Sequence, residues 1–528
     1  MLPRVSTRGA HCPCFQGGSS AILGLLLLLC GLAGCGQRTD ASADEITDDT
    51  FVVLVDRDVE QLDPRFVSDP NGLRVSRLIF ASLVTIDPQT LEPIMDLAEG
   101  IELETPTRYV VTLRPGLLFA DGSALDADDV VATYESVVDP VLQARHGHAY
   151  TRITGMLKRD ARTVVFELNA PHATFLTDLE LPIIRAEDRA RRVGDVDGEP
   201  AVGAGPYQVV ERVPGRLTLR ANPHWYRGRV ARERVRFVTV RDDNTRALRL
   251  RAGAADLAQG VIPPILLPLL EDQAGYEVRR APGIGTAYLG FHTGHVALRD
   301  VRVRRALAHA TDRAALIRTE LEGYAHPANS FIPEAHWATT VGLPEYDFNA
   351  ERARELLREA GFPDPAPGEA RLRLTLRTGS DRSRVSIARA IAAMWREVGV
   401  ELEVRPSETA TLIADLDRGR FEVCMLQLPE VIEPHVLSWF FGSQHIPREG
   451  HPGANRWRFR SAGLDAALER GRVSVVRSER QAAYAEASRV LASELPAFPL
   501  WHEDVVAVVR RGSEYQVPRD GRFGGLAR

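Results

Sequence analysis

The sequence predicts a mixed α/β protein of two or three domains, carried behind an export signal. Three observations lead there. The chain has 528 residues, well beyond a single ordinary domain of roughly 150 residues. Residues 50–275 are rich in short apolar and alternating segments bounded by turns, the pattern of strands. From about residue 285, strand-like and helix-like segments alternate, which implies a sheet covered by helices. With 44% hydrophobic and 26% charged residues, the composition is that of a folded globular chain.

The first 34 residues read as a leader. Arg4 and Arg8 precede an apolar run over residues 21–34, too short to span a bilayer comfortably. The run ends in Leu32-Ala33-Gly34-Cys35, which resembles the lipobox of bacterial lipoproteins. That resemblance implies cleavage before Cys35 and a diacylglycerol on its thiol. Residues 35–49 are small, polar and acidic, a flexible tether between lipid and fold. Cleavage would leave Cys424 as the one unmodified cysteine, so no disulfide framework is expected. Cys12 and Cys14 have metal-like spacing but lie in the leader.

The elements follow in order. Residues 51–55 (FVVLV) form a buried strand and 108–114 a half-buried one. Asp126 caps a helix to about Val138, with Asp129 in its first turn. Strands follow at 164–168, 216–220 and 235–240. Residues 286–293 open the second pattern as a strand. Asp300 caps one long helix to about Leu321, and Asn349 caps another that stops at Gly361. Beyond the Pro-rich linker 363–368 come strand 371–377, helix 383–398, strand 401–405 and strand 421–428. Two helices near 463–475 and 479–494 precede a last strand at 505–509.

Several functions are excluded. The net charge of −6 argues against a nucleic-acid partner. Lys158 is the only lysine, so neither a Walker A lysine nor a choice of Schiff-base lysines exists. No HExxH, GxSxG, GxGxxG or P-loop motif occurs. His146 and His148 flank a glycine and read as loop residues rather than a metal pair. Asp128 and Asp129 are adjacent on a helix and point apart, which suits capping better than paired acid catalysis. No catalytic residue, metal or cofactor is expected.

Eight or more collinear segments across roughly 50–475 resemble bacterial extracellular solute-binding protein family 5, the oligopeptide- and dipeptide-binding lipoproteins of ABC importers. They include Leu62-Asp63-Pro64, residues 97–100 (LAEG), 113–131 (LRPGLLFADGSALDADDVV), 203–207 (GAGPY), 222–228 (NPHWYRG) and 299–313 (RDVRVRRALAHATDR). Ala120 and His292 depart from the residues usual at their positions. The resemblance implies a two-lobed periplasmic-binding-protein type II fold with an inserted subdomain in the first lobe. The expected layout is lobe I over 50–275 with an insert at about 75–185, lobe II over 276–495, and a return to lobe I over 496–528. A hinge is expected near residues 203–207. The body would lie in the periplasm or on the cell surface as a monomer, serving an ABC permease and its ATPase.

The ligand is expected at the end of strand 421–428. In the peptide-binding relatives, an acid shortly before a Glu-Pro or Asp-Pro pair holds the peptide's ammonium group. Placing Glu433-Pro434 on that pair puts Glu430 at the acidic position. Gln427 at the strand end, Trp439, Trp457 and Arg456 complete the expected ligand-binding set. Two alternatives stay open: a receptor of the same fold for a sugar, opine or metal chelate, and a lipid-anchored secreted hydrolase.

Overall fold

The computed structural model describes residues 50–145, 147–192, 202–271, 275–366, 368–428, 430–451 and 453–528. The leader, the tether, Cys35 and His146 lie outside the described residues.

Two large sheets organise the chain, one in each lobe. The first has seven strands in the order Tyr276–Ala281, Val505–Arg510, Leu257–Gln259, Thr50–Val55, Arg234–Thr239, Arg216–Ala221 and Tyr207–Val213. Its central strand, Thr50–Val55, runs parallel to both neighbours. Val52 and Leu54 pack into one hydrophobic layer, Val53 and Val55 into another. A strand covered on both faces needs an unbroken apolar run rather than alternation, which explains FVVLV.

The second sheet has six strands in the order Ala325–Pro327, Ala497–Glu503, Thr286–Phe291, Val423–Leu428, Leu372–Gly379 and Val400–Ser407. Leu372–Gly379 and Val400–Ser407 are parallel and are joined by helix Arg382–Arg396, which buries Ile387, Ile391 and Trp395 against them. A separate antiparallel sheet of four strands, Ala98–Thr105, Arg108–Leu113, Thr163–Leu168 and Ile153–Asp160, is backed by helix Ala127–Val138. Tyr134, Phe166 and Phe175 give this unit a core of its own. Asp126 and Asp129 close that helix's N-terminus as a capping box.

Three expectations need correction. The helix begun at Asp300 ends at His309. A second helix, Arg313–Glu320, starts afresh because the Asp312 carboxylate caps it by accepting from the Ala315 amide at 2.8 Å. The lobe boundaries also move. Tyr276–Ala281 belongs to the first sheet and Ala497–Glu503 to the second, so the chain crosses between lobes at residues 282–285 and at Asp504. The hinge is therefore not at 203–207. There the glycines serve close approach: a Cβ on Gly203 or Gly205 would collide with the Ile79 carbonyl. At the real crossing, Gly283 plays the same part against the Glu503 carbonyl.

Candidate functional site

Helix Pro70–Ile79 forms one wall of the site. Asp69 caps it, accepting from the Gly72 amide at 2.6 Å, and Pro70 fits the first turn, where no amide donor is needed. Val75, Leu78 and Ile79 bury one face. Arg74 and Arg77, three residues apart, therefore emerge together on another. The segment 514–525 closes the far side. A cavity of about 640 Å3 lies between them, with Phe80, Trp225 and Phe523 among its lining residues.

Arg522 forms the anchor of this wall. Its guanidinium grips both oxygens of Glu180, one at 3.0 Å, and meets Asp520 at 3.2 Å. Burial alone would raise the Glu180 carboxyl, but Arg522 and Arg77 hold it below its ordinary value. Arg77 reaches Glu180 only at 3.5 Å. Its side chain keeps 32% exposure, yet it is hemmed in by protein, and that setting together with the Arg522 cation lowers its pKa.

Glu430 faces this wall from lobe II. It follows strand Val423–Leu428, is exposed, and has no hydrogen-bond partner among the described residues. Open to solvent but deep between lobes, its carboxyl is pushed up by the surrounding protein, while Arg522, Arg77 and Arg74 pull it back. Three residues on, Glu433 has the opposite setting. It pairs with Arg480 at 2.6 Å, both side chains being largely buried, and Arg480 packs over the rings of Trp337 and Tyr484. Burial raises the Glu433 carboxyl, and Arg480 offsets this only in part.

The other expected ligand residues divide. Gln427 is half-buried; its carbonyl accepts from Arg384 at 3.1 Å and its amide donates to Glu503 at 3.5 Å. Trp439, on helix Val436–Phe441, is half-buried and stacks on His148 of the four-stranded unit, with ring centroids 6.1 Å apart. Trp457 is no wall of a cleft. It is 0% exposed, its indole N–H donates to the Phe440 carbonyl, and Tyr288 and Gly290 press against its ring. Arg456 is likewise structural: its guanidinium is committed to Asp417 at 2.7 Å.

Sequence reasoning missed the arginine wall and a second interlobe cluster. His172 of the first lobe meets His435 of the second edge-on, 6.2 Å apart. Arg472 ties the same lobes by donating to the Pro171 carbonyl at 3.2 Å. Burial drives both imidazoles down to about 3, helped by Arg152 and Arg472. Beside them, burial lifts Asp178 to about 7 although Arg152 pairs with it at 3.0 Å. The Asp69-Pro70 cap was a readable signal for the helix that carries Arg74 and Arg77. Nothing in the sequence marks His172 and His435 as neighbours. Among the described residues, no cluster of histidine, cysteine or acid side chains could hold a metal ion, and no helix is long and apolar enough to cross a membrane.

Residues 92–445 match the family described as bacterial extracellular solute-binding proteins, family 5 Middle. Protein XP55 of Streptomyces lividans is 29% identical, over 91% of this chain and 88% of its own length. Di/tripeptide-binding protein 2 of Pseudomonas aeruginosa is 26% identical, over 86% and 89%. The crystal structure of NikA from Brucella suis in complex with Fe(III)-EDTA superposes with a TM-score of 0.82 at 23% identity, covering 91% of this chain and 99% of that one.

Proposed function

The chain belongs to family 5 of the bacterial extracellular solute-binding proteins, and we propose on that footing that it captures a peptide-like solute between its lobes and hands it to an ABC importer. One observation carries the reading: Glu430, an open carboxylate without a hydrogen-bond partner among the described residues, stands at the lobe interface where a solute's ammonium group can reach it. An ammonium held there, shielded from bulk water, gains a charge-assisted bond without displacing an existing partner. The Pseudomonas relative's description as di/tripeptide-binding supports the same class. The two crossings at residues 282–285 and Asp504 suit a hinge that closes the lobes on their solute.

Cys35 is the proposed lipid anchor, holding a monomeric body beside the membrane and its permease and ATPase. Cys35→Ser should leave an unlipidated precursor; a variant that still takes up palmitate would refute the anchor.

A second reading keeps the fold and changes the solute. The arginines opposite Glu430 suit an anionic chelate, and the Brucella neighbour was solved with Fe(III)-EDTA. Native mass spectrometry of the untagged mature protein decides between them. A co-purified mass that fragments as a peptide supports the first reading. A metal chelate or sugar would overturn it in favour of the second.

A further inference from the structure

The charges that line the lobe I cavity do not balance. Asp96 is taken by Arg227 at 2.6 Å and by the Tyr226 hydroxyl. Asp520 and both oxygens of Glu180 are taken by Arg522. Glu514 is exposed. That leaves Arg528 and, on the helix wall, two guanidiniums. No carboxylate among the described residues lies within ion-pair distance of Arg74, whose contact is the Phe523 ring at 6.0 Å. Arg77 has only the 3.5 Å edge of a carboxylate that Arg522 already satisfies. A half-buried Trp225 ring shares the same cavity. The volume, about 640 Å3, lies in the range of small-molecule sites.

We propose that this cavity binds the carboxylate end of the solute, with Arg74 and Arg77 as its charge partners and Trp225 and Phe80 flanking the adjoining apolar part. The inference rests on the receptor reading and refines it, because it adds an anionic requirement on lobe I to the ammonium site at Glu430. Two guanidiniums three residues apart on one helix face can offer parallel N–H donors to the two oxygens of one carboxylate. The lowered pKa of Arg77 agrees with a cation that still lacks full compensation. Arg522 stands behind and stays with Glu180, so it orients the wall without being consumed by the solute.

The test uses two probes of nearly equal shape, 3-phenylpropionate and its neutral amide, titrated calorimetrically into the full mature protein at fixed ionic strength. The carboxylate should bind about tenfold or more tightly than the amide, since charge-assisted bonds distinguish them. Arg77→Gln and Arg74→Gln should each erase most of that preference. Arg373→Gln, which removes an exposed charge on the strand next to the far edge of the lobe II sheet, should leave it intact. Unliganded melting curves of the variants must match wild type, which Arg522's retained grip on Glu180 makes the expected outcome. Equal binding of the two probes, absence of carboxylate binding at millimolar concentration, or an effect of Arg373→Gln equal to that of Arg77→Gln would overturn the proposal. The receptor reading fails separately: protein that carries no solute and shows no compaction in scattering with any solute refutes that reading, whatever the probes do.

Discussion

The tip and the root of one loop in lobe II use the same side chain in opposite ways. At the root, Glu433 is buried against Arg480, and aromatic rings cover the pair. At the tip, Glu430 is exposed and bound to nothing among the described residues. The difference teaches where each carboxylate's energy goes. A buried pair holds the loop in place, since each charge would be costly without the other. An open carboxylate contributes little to folding and is free to exchange water for a ligand. The wall across the cleft repeats the division: Arg522 is spent on Glu180 and Asp520, whereas Arg74 and Arg77 are available.

The largest expected effect comes from breaking the root. Arg480→Met leaves Glu433 buried and unpaired and should lower unfolding free energy by about 3–5 kcal/mol, read from the shift of the urea midpoint. A loss below about 1 kcal/mol would mean that Glu433 is solvated and that the contrast with Glu430 is false.

The tip should behave in reverse. Glu430→Gln should change folding stability by less than about 0.5 kcal/mol. It should speed release of the co-purified amine-bearing solute on the order of a hundredfold, because it leaves a desolvated cation unpaired. If unfolding and release shift together, Glu430 belongs to the scaffold.

A smaller effect concerns pH at the interlobe cluster. His172 and His435 titrate near 3 when folded and near 6.5 when unfolded. Their contribution to stability is present above pH 6.5 and is lost as pH falls toward 3. Asp178 runs the other way: held at about 7 against an ordinary 3.8, its neutral form favours the fold at low pH, and that advantage is lost as pH rises to 7. Two histidines outweigh one aspartate between about pH 4 and 6.5. Within this cluster unfolding then takes up one net proton, so the cluster adds roughly 1.4 kcal/mol of stability per pH unit, beside what other buried histidines such as His336 and His502 contribute. Asp178 alone should turn the cluster's contribution slightly down between 6.5 and 7. His435→Gln should lower the slope below pH 6.5 by about the cluster's share; an unchanged slope would place its source elsewhere.

The smallest effect tests the ring contact between the lobes. Trp439→Ala removes the pairing with His148, worth roughly 1 kcal/mol. Scattering should then detect a larger open fraction at a given solute concentration, with the unfolding midpoint of the apo protein little changed.

Much of the scaffold was legible because it rests on local chemistry. Asp126 and Asn349 cap their helices by bonding to amides two or three residues away. The apolar run at 51–55 is a strand buried on both faces, whatever lies around it. The alternation after residue 285 permits a covered sheet and little else. What the tertiary structure alone decided is how residues with the same name divide their work. Trp439 and Trp457 are alike in sequence, but only Trp457 faces Gly290, whose missing side chain makes room for the ring in the core. Every cation but Lys158 is an arginine, so local pattern could not single out Arg74, Arg77 and Arg522. They meet because the chain returns to lobe I after crossing at Asp504, bringing residue 522 beside residues 77 and 180. Electrostatic partnership depends on distance through space, and hundreds of residues of chain lie between these partners. The hinge was hidden for the same reason: Gly203 and Gly283 both relieve close backbone contacts, and only the course of the strands shows that the second lies between the lobes.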